Sequence, residues 1–194
     1  MDIIARHFQV KRGEREMEYV FRTYPVVLDI ATCMELPENW KKLTTYMRDT
    51  FIHGYPDREG KKSVSEMPRL ILQQCQRLKE HDFTKFARAA DYQGKGRGMH
   101  DCVQMYFLRH HPEALCMELP VWDDELHGHI DLIMLPQDST DDVYILDFKP
   151  NAVKEAKAQS QLHRYRHLLH LRTDIPLKNI HCFYFDDKHT FLVP

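Results

Sequence analysis

The stretch ELPVWDDELHGHIDLIMLPQDSTDDVYILDFKP, residues 118–150, decides the fold. It reads as three short strands: one carrying Glu118, one carrying Asp131, and one ending in Asp147 and followed by Lys149. Side chains alternate faces along a strand, so residues i and i+2 share one. Asp147 and Lys149 therefore point the same way as Val143 and Ile145, while Tyr144, Leu146 and Phe148 point the other. A turn at Asp123 to Leu126 makes Glu118 and Asp131 direct partners, because both lie equally far from its centre. The same arithmetic, applied to a loop from Pro136 to Asp142 centred on Ser139, sets Asp131 opposite Asp147. Three carboxylates then align on one face of an antiparallel meander, with Cβ atoms about 5 Å apart. An ordinary core does not tolerate such unpaired charge. A divalent cation with oxygen ligands is the natural counter-charge. Asp123, Asp124, Asp138, Asp141 and Asp142 read instead as solvated turn residues.

Pro150 and Asn151 form a helix-start signal, and a helix is expected from about Ala152 to Arg172. Its apolar stripe is Ala158, Leu162, Tyr165 and Leu169. Gln161 and Tyr165 are one turn apart and adjacent on the side that faces the sheet. A glutamine aimed at such a site suits a phosphate or a ligand; alternatively it only flanks the stripe, with Tyr165 as core.

Four short motifs follow one another in order: Gly98-Met99-His100, Gly128-His129-Ile130-Asp131, Asp147-Phe148-Lys149, and Gln161 to Tyr165 as Q-x-x-x-Y. Together they resemble the signature of the RecB-type branch of the PD-(D/E)XK nuclease superfamily. That branch includes RecB-family helicase-nuclease subunits, RecE-like exonucleases and CRISPR-adaptation nucleases. The resemblance spans His100 to Tyr165. It implies an α/β restriction-endonuclease-like core of helix, three-strand antiparallel meander, helix and further strands. It also implies metal binding by His100, Asp131, Asp147 and the backbone carbonyl of Phe148. Glu118 could ligate directly, hold a metal-bound water or occupy a second metal position. Lys149 would orient the attacking water or stabilise charge on the phosphate, and Gln161 and Tyr165 would brace substrate and lysine. A histidine ligand tilts the preference from Mg²⁺ toward Mn²⁺. The proline of the family's name is replaced here by Ile130. Some relatives hold an iron–sulfur cluster with one early cysteine and three after the Q-x-x-x-Y helix. Only Cys182 lies beyond Tyr165, so no iron–sulfur cluster is expected.

The chain has 194 residues, of which 43% are hydrophobic, enough for one domain with a real core. The expected division is residues 1–96 as a mainly helical N-terminal extension and residues 97–194 as the nuclease core. In the extension, a strand-like run covers Tyr19 to Ile30. Helices are expected near Pro37 to Ile52 and Ser65 to Lys79, joined by a Gly- and charge-rich connector from Gly54 to Ser63. Phe83, Phe86 and Tyr92 alternate with Lys85 and Arg88, a pattern read as a helix's core face rather than a base-stacking surface. Asn179 to Phe185 and Thr190 to Val193 read as a hairpin extending the sheet.

A net charge of −2 does not advertise nucleic-acid binding. Basic residues nevertheless gather locally, above all in Gly94-Lys95-Gly96-Arg97-Gly98 at the entry to the His100 helix. Lys95 and Arg97 could meet a phosphate there, or the segment could be a flexible linker. The 13 histidines include His163, His167 and His170, which fall together opposite the Gln161–Tyr165 stripe and read as a solvated face rather than a zinc site. His110 and His111 close the preceding helix, where cations suit the dipole. No apolar run approaches membrane-spanning length, the stretch MDIIARHFQVKRGER has no signal-peptide h-region, so no signal peptide is expected, and five cysteines without a C-x-x-C pair suggest reduced thiols. An intracellular location, cytoplasmic or nucleoid-associated, is expected, with no membrane partner. The expected partner is DNA, single-stranded or with free ends, cut in an exonuclease-like way during recombination, repair or DNA processing. The competing readings are a structure-specific endonuclease on the same site, and a catalytically silent nuclease fold that binds DNA or a protein partner.

Overall fold

The computed structural model describes residues 2–12, 15–30, 35–54, 60–90 and 97–194. In chain order its elements are β1 (Ile4–Arg12), β2 (Arg15–Thr23), α1 (Pro25–Asp29), α2 (Glu38–His53), β3 (Lys62–Ser63), β4 (Gln76–Leu78), α3 (Asp82–Ala89), α4 (Arg97–His110), β5 (Ala114–Trp122), β6 (Leu126–Met134), β7 (Val143–Phe148), α5 (Ala158–Thr173), β8 (Ile180–Phe185) and β9 (Thr190–Val193). The strands form one mixed, mostly antiparallel sheet in the order β1-β2-β5-β6-β7-β8-β9-β4, with β3 pairing alongside β6.

The centre of that sheet is the expected meander. Asp123 makes the first turn tight, its Oδ1 accepting the backbone N–H groups of Glu125 (2.8 Å) and Leu126 (2.6 Å). The strands then pair Met117 with Leu132 and Leu119 with Ile130, which brackets Glu118 opposite Asp131. Across the next loop, Met134 pairs with Tyr144 and Leu132 with Leu146, and one further step along that register sets Asp131 opposite Asp147. The next pairing is parallel, Val143 with Ile180 through Phe148 with Phe185, and a parallel pair needs a long crossover. Helix α5 is that crossover. The C-terminal hairpin forms as expected, with β8 and β9 antiparallel.

Helices cover both faces. The Phe107 ring of α4 lies 5.5 Å from Phe185, whereas the Cys182 thiol bonds the Leu162 carbonyl of α5 at 3.6 Å. Phe185 and Cys182 are three residues apart on β8, so they face opposite sides. Phe83 and Phe86 pack on Phe107, the core reading for both residues; Tyr92 lies outside the described residues. Among the described residues no helix is long and apolar enough to cross a membrane.

Several local expectations are corrected. The N-terminal half carries strands as well as α1, α2 and α3, and it supplies strands at both ends of the sheet. β2 pairs with β5 through Arg22–Met117 and Thr23–Cys116, and β4 pairs with β9. The strand-like run from Tyr19 to Ile30 breaks at Thr23, since Pro25 suits the first turn of a helix and starts α1. The helix expected over Ser65 to Lys79 is only a short 3₁₀ turn, Val64–Glu66. Pro68 holds Met67 extended (ψ 147°). The chain beyond is pinned to α5 by Leu70 N–H to Ser160 Oγ (2.8 Å) and Arg164 to the Pro68 carbonyl (2.8 Å). The helix expected from Ala152 starts instead at Ala158. Ala152 donates its N–H to Asp186 (2.9 Å), and Glu155 turns extended (ψ 106°), ending a 3₁₀ turn at Ala152–Lys154.

Phe107 is fully buried and touches Phe83, Phe86 and Phe185. Phe107→Ala is expected to cost about 3–5 kcal/mol in chemical denaturation; a loss below about 1 kcal/mol would contradict its place at the junction of α3, α4 and the sheet.

Candidate metal centre

Pairing between β6 and β7 ends at Leu132–Leu146, so Asp131 and Asp147 stand just past the last rung. Helix α4 brings His100 to the same place. Ligand atoms of His100, Asp131 and Asp147 all lie within 4.8 Å of one another. His100 Nδ1 is 3.6 Å from Asp131 Oδ2, and Lys149 Nζ is 2.8 Å from Asp147 Oδ1. Asp147 is 2% exposed, and apart from this ion pair neither of its oxygens has a well-directed hydrogen bond.

Two like charges in one desolvated space cannot ionise equally. Burial, and then the charge of Asp131, push Asp147 well above the usual carboxylate range. Burial also works against Asp131. The nearby His100 imidazole, the Lys149 charge and the contact with Asp147 outweigh it and bring Asp131 down to about 2. Burial opposes the charge on Lys149, but the two aspartates prevail and raise its pKa above the usual lysine value. The lysine therefore keeps its proton at neutral pH.

The residues present fit a divalent cation. One imidazole and two carboxylates converge, and the buried acid lacks the hydrogen bonds that would otherwise satisfy its oxygens. Phe148, whose carbonyl is an expected ligand, ends β7 with its ring 5.5 Å from the His100 ring.

Glu118 stands outside this cluster. The row of three acids expected from the turns is filled by two, with His100 as the third group. The register around Glu118 is the expected one, but its own backbone is left-handed (φ 57°), which turns it out of the regular ladder. Such a conformation in a non-glycine residue stores strain and is concentrated at functional sites.

On α5, Gln161 Nε2 donates to Tyr165 Oη at 3.2 Å. Burial raises the tyrosine's pKa, and the negative fields of Asp131, Asp147 and Glu118 raise it further. Gly128, the first residue of the second motif, has a steric role. A Cβ built there would collide with Cε1 of the Tyr165 ring. Only glycine lets that ring lie on the strand.

Lys95 lies outside the described residues, and of Arg97 only its place at the start of α4 is described. The His163 and His167 rings lie 4.6 Å apart and tilted by 57°, His167 exposed, and His170 bonds the Ile175 carbonyl. A cleft of about 530 Å³ lies elsewhere, between α2 and the end of α5. Its aromatic wall is capped by Arg172, 4.5 Å above the Trp122 ring, and it contains no converging acids like those at Asp131 and Asp147. Compared with models of protein families, with curated proteins and with solved structures, the chain matches none.

Two predictions follow from this geometry. Gly128→Ala should lose about 1–3 kcal/mol of stability by overpacking against Tyr165, and the loss should shrink in a Tyr165→Leu background, as a double-mutant cycle measures. Asp147 is raised, so its stabilising, protonated form is fully present below the unfolded carboxylate value and is lost as pH rises through the folded one. In chelator, the melting temperature of Asp147→Asn minus that of the wild type should therefore increase between about pH 5 and pH 8. A difference that stays flat would contradict the raised carboxyl.

Proposed function

We propose that this chain is a metal-dependent DNA nuclease of the PD-(D/E)XK superfamily, RecB-type branch, acting on single-stranded DNA or DNA ends in recombination, repair or DNA processing. One observation carries the reading: His100, Asp131 and Asp147 converge from a helix and two adjacent strands, with Lys149 at 2.8 Å from the buried acid. The order of elements supports it. A helix bearing the histidine, a three-strand meander bearing the acids and a crossover helix bearing Gln161 and Tyr165 follow in the sequence the resemblance implies.

A Mg²⁺ or Mn²⁺ ion held by His100, Asp131 and Asp147, with the Phe148 carbonyl, would activate water and neutralise charge on the scissile phosphate. The side chains divide the remaining work. Lys149 keeps a positive charge where negative charge grows on the phosphate oxygens. Asp147 holds that ammonium in place. Gln161 is fixed by the Tyr165 hydroxyl, and Lys157 and Arg164 stand around the same crevice, two cations of the kind that meet a phosphate backbone. Hydrolysis adds the water oxygen to phosphorus and releases one ester oxygen, which leaves as a hydroxyl. Glu118 is given the field beside the cluster rather than a place in it.

The test is incubation with single- and double-stranded DNA labelled at either end, in Mg²⁺, Mn²⁺ or EDTA, beside Asp147→Ala. Expected are metal-dependent products, faster in Mn²⁺ than in Mg²⁺, and a loss of at least about a hundredfold in the variant. Shortening from labelled ends marks an exonuclease, and discrete internal cuts at junctions or flaps an endonuclease. DNA retention without cutting marks a silent binding fold. Cutting that survives Asp147→Ala would overturn the site.

A further inference from the structure

Helix α4 buries one polar side chain that the centre described above does not use. Gln104 is 2% exposed, and neither its amide oxygen nor its amide nitrogen has a hydrogen-bond partner. Around it on the helix, Val103, Phe107 and Leu108 are fully buried and apolar. An amide at such a position is expensive unless something satisfies it, and a leucine or methionine would pack there without that cost.

The position says what it could satisfy. Gln104 lies four residues after His100, so the two side chains are neighbours on one face of α4. Helical side chains lean toward the helix N-terminus, which sends the Gln104 amide toward the turn that carries the imidazole. His100 turns Nδ1 toward Asp131 Oδ2, at 3.6 Å. Nε2 is therefore the nitrogen left on its other side. A histidine that binds a cation through one nitrogen carries its proton on the other, and an acceptor for that proton fixes tautomer and ring orientation.

We propose that Gln104 is a positioning residue for His100: its amide oxygen accepts the Nε2–H of the imidazole once a cation draws Nδ1 into the acid pair. This rests on the metal-centre reading of His100, Asp131 and Asp147. Gln104 touches neither the cation nor the substrate. It holds the ring so that Nδ1 presents its lone pair to the space between the carboxylates, and its amide oxygen gains that partner only in the loaded protein. In sequence the signal is a glutamine one turn beyond the motif histidine and one turn before the apolar pair Phe107 and Leu108.

The test compares wild type, Asp147→Ala and the near-isosteric Gln104→Met by Mn²⁺ titration calorimetry and by melting in chelator. Expected for Gln104→Met is a Mn²⁺ affinity about tenfold weaker or more, together with a metal-free melting temperature about 2–4 °C higher. A merely structural glutamine would leave Mn²⁺ affinity unchanged, and that result overturns the proposal while leaving the metal centre standing. Wild type that binds no Mn²⁺, or binds it as Asp147→Ala does, sinks the centre itself and the proposal with it. Should Gln104→Met fail to fold, the wild type decides. In the Mg²⁺-loaded protein, long-range ¹H–¹⁵N correlation spectra should show His100 protonated at Nε2, with that proton shielded from solvent exchange. A proton on Nδ1, or one on Nε2 in fast exchange, refutes it.

Discussion

Asp131 and Asp147 share one desolvated space, and the organisation around them follows from the cost of that arrangement. Two carboxylates facing each other across adjacent strands repel, and burial removes the water that would screen them. The protein answers with unequal roles: Asp131 is held ionised, Asp147 is pushed toward its neutral form, and Lys149 supplies a permanent positive charge 2.8 Å away. A core selected for stability alone would place apolar residues here, as it does one step away at Leu132 and Leu146. The retention of both acids is what makes a cation the economical explanation.

The architecture brings groups to that space from both faces of the sheet. Because Asp131 and Asp147 stand where the paired rungs end, His100 of α4 can reach them although α4 packs on the face opposite α5. From the other face, α5 brings Gln161 and Tyr165, and the missing side chain of Gly128 allows the tyrosine ring to settle against β6. The parallel pairing of β7 with β8 demands a crossover, and the same helix that makes it carries these two residues. Topology and site are thus served by one element.

Much of this was legible in the residues, and for a local reason. The register of three strands follows from two turns, each marked by its own side chains. Asp123 caps the first, and Ser139 Oγ accepts the backbone N–H groups of Asp141 and Asp142 in the second. The irregularity of β5, between Ala114 and Cys116, lies beyond the acids and does not disturb their alignment. The stripe Ala158, Leu162, Tyr165 and Leu169 is buried as its period predicts. Local signals failed where a distant partner competed. Ser160 and Arg164 hold residues 68–70 extended against their helical pattern, and Asp186 draws Ala152 away from a helix start. The place of β2 in the sheet could not be read locally, because beyond its hairpin with β1 its neighbour is β5, far along the chain.

The sequence by itself determined which acids face each other, since alternation along a strand and the centre of a turn depend only on near neighbours. It also determined that Gln161 and Tyr165 share a face. The motif resemblance named His100, but only the tertiary structure brings it to the two aspartates and leaves Glu118, whose backbone turns left-handed within an intact register, outside the group. Only packing could decide that Asp147 is buried, that Lys149 pairs with it, and that Gly128 must lack a side chain. These properties are set by helices and strands that meet through folding, and no local period encodes the distance at which they meet.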